Sequence, residues 1–213
     1  MKFKKSGVLA AVLCCLSLSA FAEVYTKTVT EQAAAGYFKA NVPRVVLQTS
    51  ATRYAAKTNI EAVIDKFRYQ AENIGNTEVF CHVTADNASY ISLFFESIAH
   101  LEGAAHPEKD FHALVLDKKT GQPLPLSKFI NVPNLAFLKE QNSFGNVIVT
   151  ASDGRTRLDN SLVDELKTLP TEYILDRRGN VYLLATEMTV YATGTPLILL
   201  PISNFHAAYV VKG

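Results

Sequence analysis

The chain has 213 residues, 48% of them hydrophobic and 19% charged, with a formal net charge of +1. That is ample apolar material for a core, in one domain or two small ones, and it excludes a disordered polyelectrolyte. The near balance of charge leaves no clustered basic footprint for nucleic acid.

Residues 1–22 read as a bacterial-type secretory signal. Lys2, Lys4 and Lys5 form a positive lead, GVLAAVLCCLSLS an apolar run, and Ala20-Phe21-Ala22 a small-x-small cleavage site. The mature chain is expected to begin at Glu23, secreted or periplasmic, with no membrane span after cleavage. The apolar run is at the short end of the roughly 17 to 25 residues that cross a bilayer. Cys14 and Cys15 raise lipid anchoring as a lesser alternative, but the bulky residue before each fits that processing poorly. Loss of three lysines leaves 18 basic residues against 20 acidic, a formal −2. Cys81 then remains alone, which rules out an internal disulfide and makes a buried, inert thiol the simplest reading.

From Glu23 to Gly36 the chain is polar with an alanine run, either a frayed lead-in or a first edge strand over Val24 to Val29. Pro43 to Gln48 carries a strand core. Thr58 and Glu61 have capping-box spacing, and Ile60, Val63, Ile64, Phe67 and Ala71 recur at helical intervals up to Gly75. Glu78 to Thr84 predicts the next strand, and Ala85-Asp86-Asn87 a turn. The Asn87-Ala88-Ser89 sequon marks no more than that turn.

Ser89 to Asp117 is the stretch that organises the rest. Tyr90, Ser92, Phe94, Glu96 and Ile98 fall on one side of a strand and Ile91, Leu93, Phe95 and Ser97 on the other, so aromatics on both faces predict a central strand covered twice. A loop from His100 to Asp110 turns into a second strand, Phe111 to Leu116, followed by the turn DKKTGQ. Leu124 to Ile130 leads to a helix start at Asn131 and Pro133, with Leu135, Leu138 and Phe137 facing inward. Asp159 caps a further short helix, Ser161 to Leu169, which Pro170 stops. Strands follow at Glu172 to Leu175, Val181 to Leu184 and Pro196 to Leu200, the first two joined at Gly179-Asn180. Mixed strands and helices without regular βαβ alternation predict an α+β fold, an antiparallel sheet with helices packed on it. Two small subdomains are expected, residues 23–88 and 89–213.

The aromatic strand, then Gly103-Ala104-Ala105-His106, a second strand, Lys119-Thr120-Gly121 and Leu126-Ser127-Lys128-Phe129 together resemble the extracytoplasmic domain of RsiV-type anti-sigma factors. There the pattern reads approximately Gly-Gly-Ala-His, strand, Asp-x-Lys-Thr-Gly, then Leu-x-Leu-x-Asp-Leu-Phe. Tyr173-Ile174-Leu175 with Gly179, then Tyr191-Ala192-Thr193-Gly194, Pro196 and Leu199-Leu200-Pro201 resemble its closing segment. Tyr37 to Ala71 is similar to the smaller domain that precedes it, so the resemblance covers nearly all of the mature chain. It implies a two-part α+β module of unknown function outside the membrane, recognising a lysozyme-like protein or, beside cell-wall-modifying enzymes, a cell-wall component such as a peptidoglycan fragment. Ala104 replaces the second glycine of the pattern. About five residues precede the apolar run, too few for a folded cytoplasmic segment, so anti-sigma activity is not expected of this chain.

The residues assemble no recognisable catalytic set. There is no G-x-S-x-G elbow, and Cys81 and His82 are neighbours on a strand and point apart. Acidic residues are frequent enough that a pair such as Glu96 with Glu102 arises by chance, and a glycosidase needs two flanking one cleft. His100, His106 and His112 are spaced six apart, and a hairpin could bring His100 near His112, but the spacing is not a usual ligand motif. No metal and no cofactor is expected. The simplest reading of His106 is a hydrogen bond to loop backbone. Tyr191 is either an interface anchor or a corner residue whose hydroxyl satisfies backbone. Gly103, Ala104, Ala105, His106, Tyr191 and Gly194 are the candidate binding residues. The leading expectation is a non-enzymatic binding module; the alternatives are a cell-envelope hydrolase with an unrecognised acidic or His-containing site, and an envelope protein with no dedicated ligand.

Overall fold

Backbone pairing in the computed structural model, which describes residues 23–188 and 194–201, divides nine strands between two sheets. The first takes β1 (Glu23–Gln32), β2 (Tyr37–Val46), β3 (Asn76–Asp86), β4 (Tyr90–His100) and β5 (Glu108–Asp117) in that order. Helix α1 (Ser50–Asn73) joins β2 to β3. After α2 (Leu135–Ser143), β6 (Ile148–Thr150), α3 (Leu162–Glu165), β7 (Tyr173–Leu175), β8 (Val181–Leu184) and β9 (Leu197–Leu200), the second sheet has the order β6-β9-β8-β7. This is an α+β fold, and no helix among the described residues is long and apolar enough to cross a membrane.

One pairing departs from the expected antiparallel pattern. β2 and β3, connected through α1, run parallel, and they pair at only three positions, from Phe38–Thr77 to Ala40–Val79. Pro43 lies further along β2 and has no N–H to give a ladder, which accounts for the early end of the pairing. β1 and β2 stay in register through all ten positions.

Helix α1 starts earlier than the Thr58–Glu61 spacing predicted. Thr49 is the N-cap: its hydroxyl accepts from the Thr52 N–H at 3.1 Å, and the Thr52 hydroxyl accepts from the Thr49 N–H at 3.3 Å. A threonine here does the work of the glutamate in the usual box. The Thr58 hydroxyl instead donates to the Tyr54 carbonyl one turn back. The apolar stripe is as read, with Ile60, Val63, Ile64, Phe67 and Ala71 buried against Phe38, Ala40, Val79, Leu93, Phe95 and Leu116. Helix α2 is capped by Asn134, which accepts from the Phe137 N–H at 2.9 Å, and not from Asn131. Strand β6 had no sequence expectation.

β4 is covered on both faces, as its aromatics predicted. Ile91, Leu93 and Phe95 face α1, where the Ser97 hydroxyl also donates to Gln70 Oε1 at 2.6 Å. On the other face Phe94 stacks on Phe111 at 5.7 Å and meets Ile174, Leu184 and Leu197 of the second sheet. The buried Ser92 hydroxyl ties the layers together, accepting from the Leu175 N–H at 3.0 Å and from Thr84 Oγ1 at 2.8 Å. The Tyr173 hydroxyl donates to the Leu124 carbonyl at 2.7 Å.

Candidate functional site

Gly103, Ala104, Ala105 and His106 lie together at the exposed tip of the β4–β5 hairpin. Gly103 takes a φ of +82° with open space around it, and the turn is held by the Ala104 N–H on the Leu101 carbonyl at 3.1 Å. The hydrogen bond expected of His106 is not made: its imidazole has no partner among the described residues, because the backbone closes the turn unaided. Tyr191 lies outside the described residues. Gly194 is not at the tip. It is buried with a φ of +72°, and a Cβ there would stand 2.4 Å from Ser152 Oγ and 2.8 Å from Phe111 Cζ.

Nor does the hairpin join His100 to His112. His112 pairs with Phe95, five positions from His100, which places them about 17 Å apart along the strand. Among the described residues no three His, Cys, Asp or Glu side chains are grouped to hold a metal ion. His112 has a different setting. Its ring packs on Phe67 at 5.1 Å, and Nδ1 lies 2.8 Å from Glu172 Oε1. Glu172 also accepts from the Ala113 N–H at 2.8 Å and from Lys66 Nζ at 3.1 Å. Burial pushes the Glu172 carboxyl up, but His112, Ala113 and Lys66 outweigh it and hold the carboxyl below its ordinary value. The cluster fastens α1, β5 and the lead into β7. Cys81 is half-buried against the core under α1, and burial pushes its thiol up to about 12, which leaves little thiolate for nucleophilic attack at neutral pH.

An open groove of about 720 Å³ lies where the outer face of β3–β5 meets the second sheet. Phe94, Ile174 and Leu197 floor it. One wall is the turn Ser152 to Arg155, built around Asp153, whose carboxylate accepts from the Arg155 and Thr156 N–H groups at 2.7 and 2.8 Å and from the Thr156 hydroxyl at 2.7 Å. Those bonds, the Thr156 hydroxyl foremost, hold Asp153 below its ordinary value, so it stays charged. Asp176 and Tyr182 line the opposite wall. His82 and Thr84 form the lip on β3, and the Glu96–Lys109 ion pair at 3.1 Å closes the end nearest the hairpin tip. Gly194 backs this groove, packing behind Ser152. A second cavity of about 310 Å³, lined by Asp86, Asn87, Tyr90 and Arg177 among others, shares Asp176 with the first. An apolar floor with a few polar groups on the rim, at this volume, is the usual composition of a ligand site.

Sequence reasoning did not find the groove. Its lining comes from seven separated segments, and only the short Ser152-Asp153-Gly154-Arg155 run carried a local signal, that of a tight turn. No protein-family model matches the chain, and no curated protein matches it. Its fold is similar to the crystal structure of a DUF3298 family member from Bacteroides fragilis, at 15% identity and a TM-score of 0.51, over 85% of this chain and 91% of that one. A DUF3298 family protein from Pseudomonas aeruginosa aligns over 90% of this chain and 96% of its own, at 11% identity and a TM-score of 0.49.

Proposed function

We propose that this chain is a non-enzymatic binding module of the cell envelope, RsiV-like, exported after cleavage following Ala22. Its contact surface is the groove together with the adjoining hairpin tip at Gly103, Ala104, Ala105 and His106. The observation that carries this reading is the groove itself: an apolar floor open to solvent, a charged rim, and lining drawn from both sheets. On the groove wall, Asp153 is held below its ordinary value by the hydrogen bonds of its turn, which gives the rim a fixed negative charge and not a general acid. The ligand classes that follow from the resemblance are a lysozyme-like protein or a peptidoglycan fragment.

The test is retention. Immobilised protein from Glu23 onward is expected to hold a lysozyme or soluble peptidoglycan fragments saturably, and Phe94→Ala with Lys109→Glu to weaken that hold at least about tenfold while the fold persists by circular dichroism. Failure to retain either, or equal retention by the variant, overturns the proposal. Release of cut peptidoglycan from the column would establish the hydrolase instead.

A further inference from the structure

β1 is the outermost strand of the first sheet among the described residues. It pairs with β2 through ten unbroken positions on one side, and on the other it has no strand partner among the described residues. Natural edges are blunted by shortness, proline, bulges or charges, lysine above all, and of these β1 carries only the charges, Lys27 at its centre among them. β1 is ten residues long, EVYTKTVTEQ, with no proline, no glycine and no register shift. Alternate N–H and C=O groups along it therefore face outward unpaired. Two charges are informative. Lys27 has no partner among the described residues, while Glu31, four positions on and on the same side of the strand, is held by Arg68 at 3.0 and 3.1 Å.

We propose that β1 pairs antiparallel with β1 of a second copy of this chain about a two-fold axis at Val29, joining two five-stranded sheets into one. The charges select the axis. With Val29 opposite itself, Thr28 faces Thr30, Thr26 faces Gln32, and each Lys27 faces Glu31 of the second copy, which then bridges Arg68 and the incoming ammonium. Moving the axis to Thr28 sets Lys27 against Val29, and moving it to Lys27 sets two ammonium groups face to face. The arrangement is closed. The opposite edge of the sheet, β5, is occupied at its end by the next segment, where Leu116 bridges Pro123 and the Leu124 N–H donates to the Val115 carbonyl at 2.8 Å. Pairing at β1 thus ends at two copies.

Cysteine scanning of the exported protein tests both the contact and its register. On the axis, two copies of Val29→Cys place their Cα atoms about 4.5 to 5.5 Å apart, within disulfide reach. Two copies of Thr26→Cys stand six positions apart, about 20 Å. Cys81, half-buried and with its thiol pushed up, is common to both variants and does not bias the comparison. Under mild oxidation Val29→Cys is expected to cross-link at least tenfold faster than Thr26→Cys, and sedimentation of the unaltered protein to show a concentration-dependent dimer. Lys27→Glu, which sets two carboxylates opposite each other, is expected to raise the dimer Kd about tenfold. A monomer at about 100 µM, or equal cross-linking of the two cysteine variants, overturns the proposal.

Discussion

Strands of the first sheet run ten or eleven residues, whereas those of the second run three or four. The long strands bury regular rows of side chains under one 24-residue helix. The short strands are bracketed by polar side chains that satisfy backbone groups. Asn160 donates to the Val147 carbonyl at 2.9 Å and accepts from the Val149 N–H. Asp159 accepts from Ser161, Asp176 from Arg178 and Asn180, and Glu187 from Lys167 and Thr168. Strands this short cannot stand alone, so local shape in the second sheet rests on turn carboxylates and on the clasp to β4, while the first rests on burial.

That contrast can be broken by mutation. The largest effect is expected in the first sheet: Phe95→Ala removes a fully buried ring under α1 and should cost about 3 to 5 kcal/mol in urea unfolding. If the second sheet unfolds with it in one transition, the dependence of the small sheet on the large one holds; a separate second transition would break it. Next comes the clasp. Ser92→Ala leaves the Leu175 N–H buried without an acceptor, a loss of about 1 to 3 kcal/mol. Hydrogen exchange should speed at β7 and β8 and hardly change under α1.

A smaller effect separates the sheets by pH. Glu172, Asp153, Asp159 and Glu187 all have lowered folded-state values. The stability they contribute is therefore present above the unfolded carboxylate range and is lost as pH falls through the folded values. Acidification below about pH 4 should shift NMR signals of the second sheet and its turns before those of β1 to β3. Glu172→Gln should flatten the acid limb of the urea midpoint. Smallest of all, Cys81 should stay unreactive to thiol reagents at pH 8 in the folded state and react at once in urea, since its thiol is pushed up to about 12.

The same contrast explains what could be read from the residues. The α1 stripe and the two-faced β4 are periodic, and periodicity survives without knowledge of tertiary partners. The start of α1 was missed because Thr52 stands where the capping template looks for an acid. β6 was missed because three residues carry no period. Of the candidate site, the tip from Gly103 to His106 was legible as a loop, while the groove beside it was not. Phe94 and Ile174 are 80 positions apart in the chain and look like ordinary core until the two sheets are brought together. The Glu172–His112 contact likewise joins residues with no local pattern in common.

Beyond Ala40, β2 is held to α1 mainly by Val42, Val45 and the following Leu47, with the Arg44–Glu61 ion pair at 3.4 Å beside them, and not by a ladder to β3. An attachment made of grease weakens as water cools, while one made of hydrogen bonds does not weaken in the same way. Chilling should accordingly loosen the hairpin of β1 and β2 first, giving this protein a cold-sensitive end opposite its acid-sensitive one.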